Sequence, residues 1–212
     1  MILASTMWDD GLAGDLRLID ILRKTGATAA FALSPSRHKK WRTVNDHRGD
    51  YGELVSQVEL KEFADFEVCN HTDTHVDLNK VGVEDTRREI VEGRKKLEDI
   101  FGREISGFCY PYGVHTPAAL AVLRAEKVLF ARTTQSGYFG HQDNLLLHPT
   151  GRWNGVDLEK LADTASGRLI LWGHTYELRS EHDWDKVRTM YNLLAQHPRV
   201  KLVTFEEMVR NP

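Results

Sequence analysis

Short apolar runs alternate with amphipathic stretches along the whole chain. Ile2 to Trp8 is apolar and stops at Asp9-Asp10-Gly11, the pattern of a buried strand ended by a turn. Asp15 to Thr25 sets Leu16, Ile19, Ile21 and Leu22 at near-helical spacing, with Gly26 as the stop. Ala27 to Leu33 is a second apolar run, and Glu53 to Ala64 predicts a helix leading into a strand from Phe66 to Asn70. Glu84 to Phe101 is the clearest helix. Ile90, Leu97 and Ile100 mark its apolar stripe, and Arg87, Arg88, Arg94, Lys95 and Lys96 make a solvated face. Ile105 to Tyr110 predicts a strand closed by Pro111-Tyr112-Gly113, Pro117 to Lys127 a helix with proline in its first turn, and Val128 to Thr133 a strand carrying Arg132 near its end. Thr134 to Asn154 reads as loop around Leu145-Leu146-Leu147, and Asp157 to Ala162 as a short helix. Arg168 to Trp172 predicts a strand closing on Gly173-His174, Trp184 to Gln196 a helix, and Val200 to Thr204 the last strand.

Strands alternating with helices imply βα units and a mainly parallel sheet or barrel, with six or seven units, fewer than a full barrel holds. In such folds functional side chains gather at the carboxyl ends of the strands. Those ends carry Asp9-Asp10, His71 and His75, Pro111-Tyr112, Arg132 and His174. Reactive residues at five strand ends are the main argument for an enzyme.

Bulk properties narrow the partners. The 212 residues fit a single domain, 1–212, with 41% hydrophobic and 28% charged residues as in globular proteins. A net charge of −3 gives no reason to expect nucleic acid or an anionic membrane surface, and no apolar run approaches the ~18 residues of a membrane span. If Met1 is the native start, the protein is expected to be cytoplasmic; a chain trimmed of an export signal would be extracellular. Cys69 and Cys109 both sit in apolar runs and read as small buried side chains, not as a disulfide framework.

His71 and His75 lie four apart in Asn70-His71-Thr72-Asp73-Thr74-His75, a spacing that suits two imidazoles on one cation if the backbone takes a helical turn. Alone, the spacing is also that of two solvated loop histidines. A third ligand from Asp9-Asp10 completes the donor set of an open divalent metal site, zinc first. Side chains alternate along a strand, so one aspartate binds and the other is left free as a base. Ser34 to Gly52, with His38-Lys39-Lys40-Trp41-Arg42, is long for a connection; it reads either as a solvated loop or as a flap offering Trp41 to a sugar face.

The order Met7-Trp8-Asp9-Asp10-Gly11, His71-Thr72-Asp73-Thr74-His75, Tyr110-Pro111-Tyr112-Gly113 and Leu169-Ile170-Leu171-Trp172-Gly173-His174 resembles the polysaccharide deacetylases, carbohydrate esterases with the nodulation-type deacetylase domain. The resemblance spans nearly the whole chain. It implies a distorted (β/α) barrel of about seven parallel strands. It further implies metal binding by Asp10, His71 and His75, and Asp9 as the base towards a metal-activated water. The backbone N–H of Tyr112 would lie at the oxyanion, and His174 would be the acid for the leaving amine. The chain departs from the family at Cys109, where many members have arginine two residues before the motif proline. It also has no Asp-x-x-Asp/Ser-Trp stretch before His174, so the usual supports of base and acid are missing. Arg132 is expected to replace the missing arginine and pair with Asp9; the alternative is an exposed strand-end arginine.

The expected function is metal-dependent removal of acetyl from an N-acetylated sugar or oligosaccharide. Two alternatives stand beside it: an amidase or O-deacetylase of a small substrate, favoured by the absence of a visible signal, and a carbohydrate-binding relic without catalysis. Retention of Asp9, Asp10, His71, His75 and His174 together argues against the relic.

Overall fold

A computed structural model describes residues 1–41, 52–136, 148–155 and 167–210. Its strands are β1 (Ile2–Asp9), β2 (Ala30–Leu33), β3 (Glu67–Asn70), β4 (Gly107–Cys109), β5 (Phe130–Ser136), β6 (His148–Arg152), β7 (Gly167–Gly173) and β8 (Val200–Leu202). The helices are α1 (Ala13–Thr25), α2 (Val83–Phe101), α3 (Pro117–Ala125), α4 (Glu181–Gln196) and α5 (Phe205–Arg210).

All strand pairings between these strands are parallel, and β1 to β7 close on themselves, because β1 pairs with both β7 and β2. The ring is distorted at one seam. β8 pairs with Ile2–Ala4 of β1, and β2 pairs only with Met7–Asp9, so β8 occupies the lower half of the edge that β2 takes above. The expected barrel of about seven strands is present. One of its members differs from the sequence reading. β6 lies inside the stretch read as loop, and Val200–Leu202, read as the seventh strand, flanks the ring. His148-Pro-Thr-Gly-Arg152 has no apolar alternation and carries proline and glycine in a strand, which is why pattern reading passes over it.

The other correction concerns Glu53 to Ala64. Only Glu59–Phe63 coils, as a 3-10 turn burying Leu60 and Phe63. Glu53 and Val55 instead bond the β1–α1 connection, with Ala13 N–H to Glu53 C=O at 2.8 Å and Val55 N–H to Gly11 C=O at 2.9 Å. Tertiary pairing thus overrides helix propensity there. The Leu145–Leu147 run, the Asp157–Ala162 helix and positions 42–51 of the expected flap lie outside the described residues.

The layer between strands and helices is apolar, with Ile2, Ala4, Phe31, Leu33, Leu169 and Leu171 buried against Leu18 and Leu22 of α1 and Val187 and Leu194 of α4. Burying such a side chain contributes roughly 1.5–3 kcal/mol. Thr6 and Trp8 meet the buried Tyr191 hydroxyl at 2.8 Å each, tying α4 to β1. Cys69 and Cys109 are free and buried, as expected.

Candidate active site

The carboxyl ends of the strands open on a cavity of about 470 Å³ lined by Asp9, Asp10, His71, His75, Tyr112 and His174, with Tyr110, Thr134, Arg152, Trp172 and Tyr176 around them. Of the residues given a catalytic or metal-binding role from sequence, Arg132 alone is absent from the lining, and it lies buried beneath, against Asp9; Trp41, read as a platform for a sugar face, lines a separate groove. Among the described residues, the non-glycine positions with left-handed backbone are Asp10 (φ 81°), Thr72 (φ 61°), His75 (φ 62°), Tyr112 (φ 58°) and Lys127 (φ 53°). All but Lys127 lie in the segments that form this mouth. Such conformations cost about 1–3 kcal/mol each and are held only where surroundings enforce them. At the Tyr112 turn Gly113 is required, since its φ is 72° and a Cβ would lie 2.0 Å from Thr134 Oγ1.

Asp10, His71 and His75 converge. Asp10 Oδ1 is 3.3 Å from His75 Nε2 and 3.9 Å from His71 Nε2, and the three ligand atoms all lie within 4.8 Å of one another. His71 Nδ1 donates to the Cys109 carbonyl at 2.8 Å, which fixes the tautomer and leaves the Nε2 lone pair facing Asp10. Burial drives the pKa of His71 down, and burial with the neighbouring His71 takes His75 to about 4, so both imidazoles are neutral donors near pH 7. Donor types and tautomer therefore fit a divalent ion. Asp9, His71 and Cys109 also come close together. That second group does not fit, because Asp9 is held by Arg132 and burial keeps the Cys109 thiol protonated.

Asp9 accepts from Arg132 Nη2, and the guanidinium also donates from Nε to Met7 Sδ at 3.2 Å and lies 5.0 Å over the Trp172 ring. Burial pushes the Asp9 carboxyl up, but Arg132, then His71 and His174, outweigh it and leave its pKa below the ordinary value. The Arg132 contact with Asp9 is thus the one expected from the gap at Cys109.

His174 stands across the cavity, its Nε2 3.9 Å from Asp9 Oδ2 and 3.8 Å from Asp10 Oδ2. Its Nδ1 donates to Glu177 Oε1 at 3.0 Å, and Glu177 is itself held by Arg152 at 2.6 Å and by Trp153 Nε1 at 3.1 Å. Burial lowers the His174 pKa, but the Glu177 hydrogen bond and the Asp9 and Asp10 charges more than offset it, so the ring is more basic than usual. One further carboxylate ties the two loops together. Asp15 accepts from Leu12 N–H at 2.9 Å and from the Thr175 hydroxyl at 2.7 Å, and burial raises its pKa to about 7.

Sequence reading missed Arg37, Arg152 and Glu177. Glu177 had a local signal, three residues after His174 on a 3-10 turn (Thr175–Glu177). Arg37 and Arg152 had none, since fold alone brings them to the mouth.

The fold and the cleft define a class of proteins, parallel α/β barrels that gather carboxylates and imidazoles at the carboxyl ends of their strands. Within it the chain belongs to the polysaccharide deacetylase family, whose model matches residues 3–130. Solved structures share the fold. A Mycobacterium smegmatis protein provisionally assigned as a polysaccharide deacetylase aligns at 14% identity and a TM-score of 0.70 over 99% of this chain and 89% of that one. The Bc1960 peptidoglycan N-acetylglucosamine deacetylase aligns at 16% and 0.64 over 100% and 94%. BA3943 of Bacillus anthracis, a CE4 family pseudoenzyme, aligns at 15% and 0.61 over 98% and 65%. The chain spans 61% of the Streptococcus pyogenes deacetylase PplD. A search of the curated proteins finds no match.

Proposed function

We propose that this protein is a metal-dependent hydrolase that removes acetyl groups from an N-acetylated sugar or oligosaccharide. The observation that carries the reading is the convergence of Asp10, His71 and His75 with Asp9 and His174 around one cavity. Asp10, His71 and His75 would hold the ion, zinc first; when bound, it polarises the acyl oxygen and makes water acidic enough to lose a proton near neutral pH. Asp9, kept ionised by Arg132, accepts that proton. His174 donates from Nε2 to the leaving nitrogen, which departs poorly unless protonated. Glu177 holds Nδ1–H and so keeps Nε2 turned into the cavity. The backbone N–H of Tyr112 is assigned to the developing oxyanion. Bc1960's description as a peptidoglycan N-acetylglucosamine deacetylase supports an N-acetylated sugar as substrate class. Against the relic reading stands the presence of every acid, base and ligand position in one cleft.

The deciding experiment is acetate release from a panel of acetylated sugars and small amides, with chelator and with added metal. Turnover that chelation abolishes and metal restores is expected; no release from any substrate would overturn the reading. Elemental analysis should find close to one divalent ion per chain, lost in His71→Ala and Asp10→Ala. His174→Ala is expected to lose about 10²–10⁴-fold on an N-acetyl substrate and far less on an activated aryl acetate, whose leaving group needs no proton. Equal losses on both would remove His174 as the acid.

A further inference from the structure

Arg37 lies outside every motif, yet its Nη1 donates to Asp10 Oδ1 at 2.9 Å, the same oxygen that faces both histidine Nε2 atoms. We propose that Arg37 is a built-in counter-cation of the Asp10–His71–His75 group, which a divalent ion displaces from Asp10, so that Arg37 sets how tightly the ion is held. The inference rests on reading that group as the metal site.

Several contacts fix this arginine against the ligands. The 3-10 turn Pro35–Arg37 follows β2 directly. Just before it, the buried Ser34 hydroxyl donates to the His71 carbonyl at 2.6 Å. Ser36 N–H donates to the Asp73 carbonyl at 3.0 Å, and Lys96 clamps both residues, reaching Ser36 Oγ at 2.8 Å and Asp73 Oδ2 at 2.7 Å. On the other side His38 is buried, with Nδ1 2.8 Å from the Val55 carbonyl. Its ring packs so closely on Gly11 that a Cβ there would lie 2.6 Å from it. The turn carrying Arg37 is therefore bolted to the loop of His71 and His75 and packed against the residue after Asp10. Its guanidinium is delivered to Asp10 by the fold and is not a wandering surface charge.

The physical consequence follows from charge. The Asp10 carboxylate is mostly removed from water and is compensated by Arg37. A divalent ion entering between Asp10 and the imidazoles meets a like charge a few ångström away and must share or take over Oδ1. The displaced guanidinium has a place to go, since Arg37 also lines a groove of about 270 Å³ with Lys39, Trp41 and Val55.

The test measures zinc and cobalt dissociation constants by competition with a chromophoric chelator for wild type, Arg37→Ala, Arg37→Gln and Arg37→Lys. The two neutral variants should bind either ion about tenfold more tightly, the order expected for removing a like charge at this range in partly screened surroundings. Arg37→Lys should stay near wild type. Their ion-free melting temperatures should fall while the increment on adding ion grows, because the ion then replaces a missing partner. Arg37→Gln can keep a hydrogen bond to Asp10, so it reads the charge alone if Arg37→Ala does not fold. Unchanged or weaker binding in the neutral variants would overturn the inference and make Arg37 an orienting partner of Asp10. A wild type that binds neither ion would instead remove the metal reading beneath it.

Discussion

Arg132→Met is expected to destabilise the protein by roughly 3–5 kcal/mol at neutral pH, the cost of leaving one member of a buried ion pair without its partner. The guanidinium is fully buried, contacts Asp9 and Met7, and lies over Trp172, and methionine replaces only part of that packing. The direction of the pH dependence follows from Asp9. In the wild type its folded pKa is depressed, so its contribution is present above the unfolded value and is lost as pH falls through the folded one. Without Arg132 the burial that raises the pKa meets only the weaker influence of His71 and His174. Its folded value then rises above the unfolded one. The penalty in the variant is therefore full above that new pKa and shrinks as the solution is acidified. Denaturant unfolding at several pH values would show the gap to wild type narrowing on the acid side, with the acidic limb of the rate profile moved upward and metal content unchanged. A gap independent of pH would separate the stability loss from the charge of Asp9.

What could be read from the sequence divides along physical lines. Asp9, Asp10, His71, His75 and His174 were legible because each ends or follows an apolar strand, and parallel barrels bring such ends together. Arg132 was legible through a gap, since a carboxylate base needs a cation and Cys109 cannot supply one. Cys109 meets Asp9 only through its thiol, at 3.8 Å. β6 was not legible, because its pairing with β5 and β7 asks nothing of residue alternation. With β6 went Arg152, and with Arg152 one of the two anchors of Glu177. The Glu59–Phe63 turn was misread for a related reason, since the strand-like path before it is set by partners on the β1–α1 connection far away in sequence. Arg37 was invisible because its meaning depends on Ser34, Ser36 and Lys96 docking one turn on another, with no spacing to mark it.

Asp9→Asn separates base from ligand most sharply. The side chain it alters is no member of the Asp10–His71–His75 group, so elemental analysis should still find the ion. The amide cannot accept a proton as the carboxylate does, and turnover should fall by about 10²–10⁴-fold. The variant also leaves Arg132 charged and buried against a neutral group, so it should melt below wild type. Asp9→Asn with Arg132→Met removes both charges together. The double variant should therefore be more stable than the sum of the two single losses predicts, by roughly 1–3 kcal/mol of coupling. Its activity should be no higher than that of Asp9→Asn, because stability returns while the proton acceptor does not. Additive stability losses would mean that the two side chains act separately despite their contact. Substantial turnover in Asp9→Asn with its ion retained would move the base elsewhere in the cleft.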